Sequence, residues 1–263
     1  MTAEPEEIRK WEAIEVERSA GEAKQREAED LRVKPEIILR YANPPSGTFY
    51  PLEYAYHLLG DVTEKTVLDY GCGLGDNTVL IASRGARVIG VDISPELIEL
   101  AKKRLEQHNL SQMAQFRVGS AHQLPLEDES IDVVFGMAIL HHLDLRLASA
   151  EVFRVLKNAG RAIFLEPVRN SKFVKFVRKL IPYEQPNISP FERPLTDFEL
   201  AEFAAQFTGY RSRAFSLPFV NLIAVLSLPE SVLHAAYKID GKILQKAKFL
   251  NYYASVRVVE MTK

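Results

Sequence analysis

Three glycines stand in one short run, Gly71-Cys72-Gly73-Leu74-Gly75-Asp76, directly after the apolar stretch Val67-Leu68-Asp69-Tyr70. Glycine has no Cβ, so such a run permits a tight turn and lets a ligand come close to the backbone. The apolar stretch predicts a strand over Thr66–Tyr70, and the residues after the glycines predict a helix over Asn77–Ser83. The first turn of that helix would offer free N–H groups and a partial positive charge. A mononucleotide phosphate loop would continue with Gly-Lys-Ser/Thr, which this chain lacks. A dinucleotide fingerprint, G-x-G-x-x-G, needs glycine at position 76, where Asp76 stands. A carboxylate there repels an incoming pyrophosphate, so NAD and FAD are disfavoured.

A third class of ligand carries no phosphate. The zwitterionic tail of S-adenosyl-L-methionine can use backbone N–H groups for its carboxylate and an acidic site for its ammonium. At this point the motifs become specific. Val67–Gly75 resembles the first motif of class I S-adenosylmethionine-dependent methyltransferases, and the stretch from Glu166-Pro167 to Arg193-Pro194-Leu195-Thr196 resembles, more loosely, a small-molecule, type 11-like subgroup that modifies small or lipid-linked metabolites. Val88-Ile89-Gly90-Val91-Asp92-Ile93-Ser94 is similar to the second motif. Gly119-Ser120-Ala121-His122-Gln123-Leu124-Pro125 is a third landmark, followed by Ser130–Phe135 and Ile139-Leu140-His141-His142-Leu143. Leu156-Lys157-Asn158-Ala159-Gly160 is a fourth. Each piece alone is weak. The set runs in order, at the family's spacing, over about residues 60–168.

The resemblance implies roles position by position. Asp69 would lie beneath the methionine ammonium. Gly71, Cys72, Gly73 and Gly75 would line the tail. Asp92 would hold the ribose, as an acidic strand-end residue can accept both hydroxyls. Ile93 would pack on the adenine, Ser120 and Ala121 would stand at its edge, and Met137 would lie near the sulfonium. Family members often carry aspartate where this chain has Ser120, which would contact an amino group more weakly. The usual Pro-Gly-Gly turn before the fifth strand is Asn158-Ala159-Gly160 here.

Methyl transfer from a sulfonium is an in-line displacement with an activated leaving group. The protein's main task is alignment, so catalytic residues are harder to read than cofactor residues. His141 and His142 could accept a proton from a substrate hydroxyl, or merely start a helix. Glu166 could act as base, orient a substrate or satisfy a loop backbone. Neither histidine has a partner at metal-ligand spacing, so no metal is expected. Tyr41, Tyr50 and Tyr183 are candidate lid and pocket groups. Asn43-Pro44-Pro45 resembles the core of an adenine-N6 methyltransferase motif, but it precedes the first strand and reads as a connector.

These groups need a scaffold that gathers them on one edge. Further strands are expected at Arg87–Val91, Gln115–Val118, Ile131–Gly136 and Arg161–Leu165, with helices opening at Ser94-Pro95-Glu96 and spanning Leu147–Leu156. Alternating strands and helices imply βαβ units. Later come a helix at Asp197–Gln206, a strand at Arg211–Leu217, an apolar helical insert over Phe219–Leu250 and a strand at Tyr253–Glu260. The expected architecture is an α/β Rossmann-like, doubly wound, mostly parallel seven-stranded sheet with an antiparallel last strand. Residues 1–50 would form a helical lid and connector, 51–168 the cofactor-binding core, and 169–263 the cap elements and final strands of the same domain. Ile8, Trp11 and Ile14 recur at intervals of three within the highly charged stretch 1–34, predicting a helix with a thin apolar stripe that could be a lid or a solvated extension with no role.

The 263 residues carry 33 basic and 35 acidic side chains, a net charge of −2, which argues against a generally basic nucleic-acid binder. A small-molecule substrate is the expected partner. One cysteine, Cys72, leaves no internal disulfide and suits a reducing compartment. The acidic start, without an apolar leader, points to the cytoplasm. The basic segment Lys172–Leu180 could dock on the domain or touch an anionic membrane surface. The apolar insert could pack on the sheet, wall a substrate pocket or form a homodimer face. Two further readings are a peripheral-membrane lipid or quinone methyltransferase and a cofactor-binding scaffold without catalysis.

Overall fold

The computed structural model describes residues 5–26, 28–171, 193–226 and 229–263. The segment 172–180 and Tyr183 lie outside the described residues.

Seven strands form one sheet: β1 Thr66–Tyr70, β2 Arg87–Asp92, β3 Ala114–Val118, β4 Ile131–Met137, β5 Leu156–Pro167, β6 Gly209–Phe215 and β7 Val256–Thr262. Their spatial order is β3-β2-β1-β4-β5-β7-β6. Neighbours from β3 through β5 pair parallel, while β7 is antiparallel to both β5 and β6. The last strand is therefore the antiparallel one, as expected. The strand order reverses beside β1, between β1 and β4, and an open α/β sheet binds its ligand at the carboxyl edge of that point.

Strand period decides the two core layers. Val67 of β1 and Val133 and Phe135 of β4 face one side with Tyr56, Leu59 and Ile81. Leu68 and Tyr70 of β1, Val134 of β4 and Phe164 of β5 face the other, with Val152 and Phe203. On the first side lie helices α3 Pro51–Leu59 and α4 Asp76–Ala82. On the second lie α6 Leu145–Val155 and α7 Asp197–Phe203. Each fully buried Val, Leu, Ile or Phe contributes about 1.5–3 kcal/mol, so these layers fix the sheet on which the loops sit.

Helix starts follow local chemistry. Ser94 caps α5, Pro95–Gln107, by accepting the Leu97 N–H. Asp144 caps α6 by accepting from Arg146 and Leu147. Thr196 and Glu199 form a reciprocal capping box on α7, which ends at Phe203, short of the Gln206 expected from sequence. β5 begins at Leu156, five residues earlier than the expected Arg161, because Leu156 pairs with Ile131 and the extra residues bulge from β5 before Arg161 pairs with Val133.

The long N-terminal helix α1, Pro5–Arg26, packs on α5 through a cluster of Ala23, Leu31, Leu97 and Leu100. Helix α2, Pro35–Ala42, joins it to α3. The insert between β6 and β7 forms α8 Pro218–Val225, α9 Glu230–Lys246 and the 3-10 turn Lys248–Tyr253. No helix among the described residues is long and apolar enough to cross a membrane.

Candidate functional site

β1 runs into the glycine loop at the carboxyl edge of the sheet. The N–H groups of Gly71 and Cys72 donate to the Val91 carbonyl at 2.9 and 3.1 Å. Gly71 has φ +73°, and a Cβ there would lie 2.7 Å from Ile139 Cδ1, so both backbone and packing require glycine. The loop is pinned by Asp92 at the end of β2. Asp92 Oδ2 accepts the Gly73 N–H at 2.8 Å, and Oδ1 accepts the Ser94 N–H at 3.0 Å. Each oxygen keeps acceptor capacity beyond its backbone partner. Burial pushes the Asp92 carboxyl up, against backbone hydrogen bonds that favour its anion. Beside Gly73 the space is open: a Cβ there would meet nothing within 4 Å.

Asp69 sits lower. It is buried, and its Oδ2 accepts from Thr78 Oγ1 at 2.5 Å. Burial pushes its carboxyl up to about 7, with Thr78 opposing and Asp92 adding to the shift. Asp76 accepts a hydrogen bond from the buried Arg104, whose other donors reach the carbonyls of Leu74 at 2.9 Å and Leu31 at 2.6 Å. One guanidinium thus ties the glycine loop to the chain that leaves α1.

A cavity of about 290 Å³ lies between this loop and α1. Gly73, Asp92, Ile93, Ala121 and His122 line it from the core. Ile8, Trp11, Glu12, Glu15, Ser19 and Glu22 line it from α1. Those spacings place them on one helical face. Glu12 Oε1 accepts from Ser120 Oγ and lies 2.9 Å from His122 Nδ1. His122 Nε2 accepts the Asp144 N–H at 3.0 Å, so the ring proton of the neutral imidazole sits on Nδ1 and is donated to Glu12. Two buried polar atoms of lining residues, Trp11 Nε1 and His142 Nδ1, have no protein partner among the described residues.

At the end of β4 the chain turns through Ala138 at φ +54°, a conformation that costs a residue with a Cβ about 1–2 kcal/mol. Strain of this kind collects at functional sites. The turn aims the N–H groups of Ile139 and Leu140 at Glu166, whose Oε1 accepts both, at 2.9 and 2.8 Å. Glu166 Oε2 lies 2.9 Å from His141 Nδ1. His141 and His142 stand with ring centroids 4.1 Å apart. Burial, then the neighbouring His141 and Arg18, push the His142 imidazole down to about 3. His142, with Ile139 and Leu143, closes the cavity on this side.

The structure brings some of the sequence candidates together and separates others. Gly73, Asp92, Ile93, Ala121 and His142 share the cavity wall. Ser120 stands one residue behind it, bound to Glu12. Asp69, Gly71, Cys72 and Gly75 support the loop and do not line the cavity, and the Cys72 thiol is pushed up by burial. Met137 is exposed and lies off the wall, as do Glu166 and His141. Tyr41 packs against Tyr56 at 4.9 Å and Tyr50 against Tyr237 at 5.0 Å, both away from the cavity. The Asn43-Pro44-Pro45 segment lies at the end of α2, where the Pro44 carbonyl meets His57 Nδ1 at 3.0 Å. Sequence reasoning missed Glu12, Glu15, Ser19, Glu22 and His122 as lining residues. The signal for the four on α1 was the helical spacing with Ile8 and Trp11, and for His122 its place in the Gly119–Pro125 landmark.

Comparison with known proteins adds to this geometry. A family model described as a methyltransferase domain matches residues 68–164. A demethylmenaquinone methyltransferase of Lactococcus lactis is 32% identical over 135 residues, 48% of this chain and 53% of that protein. One from Symbiobacterium thermophilum is 36% identical over 115 residues, 42% of this chain and 46% of that protein. The chain spans about half the length of these curated relatives. The crystal structure of geranyl diphosphate C-methyltransferase from Streptomyces coelicolor, with Mg2+, geranyl diphosphate and S-adenosyl-L-homocysteine, superposes with a TM-score of 0.55. It shares 20% identity and covers 79% of this chain and 76% of that one, a likeness of fold.

Proposed function

We propose that this chain, whose residues 68–164 match a methyltransferase domain, is a class I S-adenosylmethionine-dependent enzyme that transfers a methyl group from S-adenosyl-L-methionine to a small, partly apolar metabolite. One observation carries the proposal. The Asp92 carboxylate and the open side of Gly73 share a cavity at the strand-reversal point of the sheet.

The residues present suit that cofactor. Asp92 keeps acceptor capacity for ribose hydroxyls after binding its two backbone N–H groups. Ile93 and Ala121 offer apolar surface for an adenine ring, and Gly73 leaves room for the tail. Asp69, buried beneath the loop and bound to Thr78, holds the loop from below and does not reach the cavity wall. The orphaned Trp11 Nε1 and His142 Nδ1 are polar atoms that a ligand could satisfy.

When bound, S-adenosylmethionine supplies a methyl group already activated on a sulfonium. The chain's own contribution is alignment and dryness. Orientation alone is worth up to roughly 7–11 kcal/mol in ideal cases. α1 covers the cavity and excludes water that would compete for the acceptor's lone pair. Ile8, Trp11, Ile139 and Leu143 give the walls the apolar character that the acceptor would match. Of the two imidazoles, His142 is a poor base, because burial disfavours its cation. His141 has Glu166 on Nδ1, which holds the proton there and leaves Nε2 as the acceptor. Where the methyl acceptor needs a base, His141, which stands 4.1 Å ring to ring behind the cavity-lining His142, is the imidazole with a free acceptor nitrogen, and Glu166 positions it.

The names of the curated relatives favour a more specific version, in which the acceptor is a lipid-soluble quinone. Incubation with radiolabelled S-adenosylmethionine and a metabolite extract, with and without demethylated quinone in vesicles, tests both. Label in a water-extractable product supports a small metabolite. Label in the quinone alone supports the lipid reading. Saturable cofactor binding with no transfer to either would indicate a binding scaffold.

A further inference from the structure

We propose that Glu12, on helix α1, recognises the 6-amino edge of the cofactor's adenine, so that the choice of purine is made by the covering helix as well as by the sheet. The inference rests on the cofactor reading above and adds a residue from outside the matched domain, residues 68–164.

The core side of the cavity presents Asp92, Ile93, Ala121 and His122, with Ser120 just behind, and beyond Asp92, which the cofactor reading gives to the ribose, it carries no carboxylate of its own. Glu12 brings one. Its Oε1 accepts both the Ser120 hydroxyl and His122 Nδ1–H. Its Oε2 accepts nothing among the described residues, and Glu12 lines the cavity. The three α1 carboxylates on this wall are not equivalent. Glu15 pairs with Arg18, and Glu22 with Arg26 at 3.2 Å, whereas Glu12 is held by the core itself.

The state of this carboxylate follows from its partners. Because the Asp144 N–H occupies His122 Nε2, His122 meets Glu12 as a donor. Burial opposes ionisation of Glu12, but the hydrogen bonds from His122 and Ser120, with Arg9 nearby, hold its carboxyl below the ordinary range. An anionic oxygen with a vacant lone pair favours an N–H donor and repels a carbonyl oxygen. The exocyclic amino group of adenine supplies that donor; the 6-oxo group of hypoxanthine does not. Fixing this carboxylate on α1 also means that full cofactor selectivity requires α1 to be closed.

Calorimetric titration with S-adenosyl-L-homocysteine and its 6-oxo analogue, S-inosyl-L-homocysteine, tests this. Wild-type protein should prefer the adenosyl ligand by more than about tenfold, one charge-assisted hydrogen bond. In Glu12→Gln, whose amide can donate as well as accept, the preference should fall to within about threefold, with thermal melting of the free protein showing that the fold persists. Asp92→Asn should weaken both ligands and leave their ratio unchanged. Undiminished preference in Glu12→Gln overturns the assignment while leaving the cofactor reading intact. Tighter binding of the adenosyl ligand by Glu12→Gln also overturns it, since Glu12 would then be a barrier. If the wild-type protein binds neither ligand, the cofactor reading fails and takes this assignment with it.

Discussion

Glu166 Oε2 lies 2.9 Å from His141 Nδ1, while its other oxygen takes the N–H groups of Ile139 and Leu140. One fully buried carboxylate thus fixes both the turn after β4 and the tautomer of an imidazole. Removing it leaves buried donors unsatisfied, at about 1–3 kcal/mol each. Glu166→Ala should therefore lose about 2–4 kcal/mol of stability in urea unfolding, and Glu166→Gln clearly less.

The two histidines should separate kinetically. For a hydroxyl acceptor, His141→Ala should lower kcat by about 10²-fold or more with little change in KM, as expected for loss of a general base. His142 lines the cavity in neutral form, so His142→Ala should act chiefly on KM. Steady-state kinetics on the identified substrate checks the split, and reversed effects would exchange the roles.

Two buried groups should oppose each other in pH. The folded state holds Asp69 protonated up to about 7, whereas the unfolded chain ionises near pH 4. Its contribution to stability therefore falls as pH rises from about 4 to 7 and is level above that. The His142 cation is disfavoured down to about 3 in the fold but forms below about pH 6.5 in the unfolded chain. Its contribution falls as pH drops through that window. Each slope is at most about 1.4 kcal/mol per pH unit, and between about pH 4 and 6.5 they cancel. Relative to wild type, Asp69→Asn should lose stability on acidification from pH 6.5 to 4.5, and His142→Gln should gain it. Urea melts at these two values, about pH 4.5 and 6.5, read both signs.

Ala159 adopts φ +61° in the turn within β5. A residue with a Cβ is strained there and glycine is not. Ala159→Gly should stabilise the protein by about 0.5–1 kcal/mol, raising Tm by a few degrees, with no change in activity. An unchanged or lowered Tm in differential scanning calorimetry would show that the turn is not strained.

Local patterns carried most of the fold. Val67–Gly75 and Val88–Ser94 read as strand, turn and helix start because their cues are neighbouring residue types: an apolar run, the glycines after it, and Ser94 placed to cap Leu97. The cavity roof was less legible. Ile8 and Trp11 are on it, but the face continues in Glu12, Glu15, Ser19 and Glu22, polar side chains that an apolar periodicity does not mark. Their partners are remote: Glu12 meets Ser120 and His122 across 108 and 110 residues. Tyr41 and Tyr50 looked like pocket aromatics because they flank a connector, yet packing against Tyr56 and Tyr237 draws them elsewhere. Glu166 stood open among three roles in the sequence. The N–H groups that it accepts are created by a left-handed Ala138, which residue type alone does not announce.

The most direct test is calorimetric titration of the intact protein with S-adenosyl-L-homocysteine, repeated on Asp92→Ala. One saturable site per chain is expected, weakened by about 1–3 kcal/mol in the variant. No binding heat at millimolar ligand, or full affinity without the Asp92 carboxylate, would contradict it.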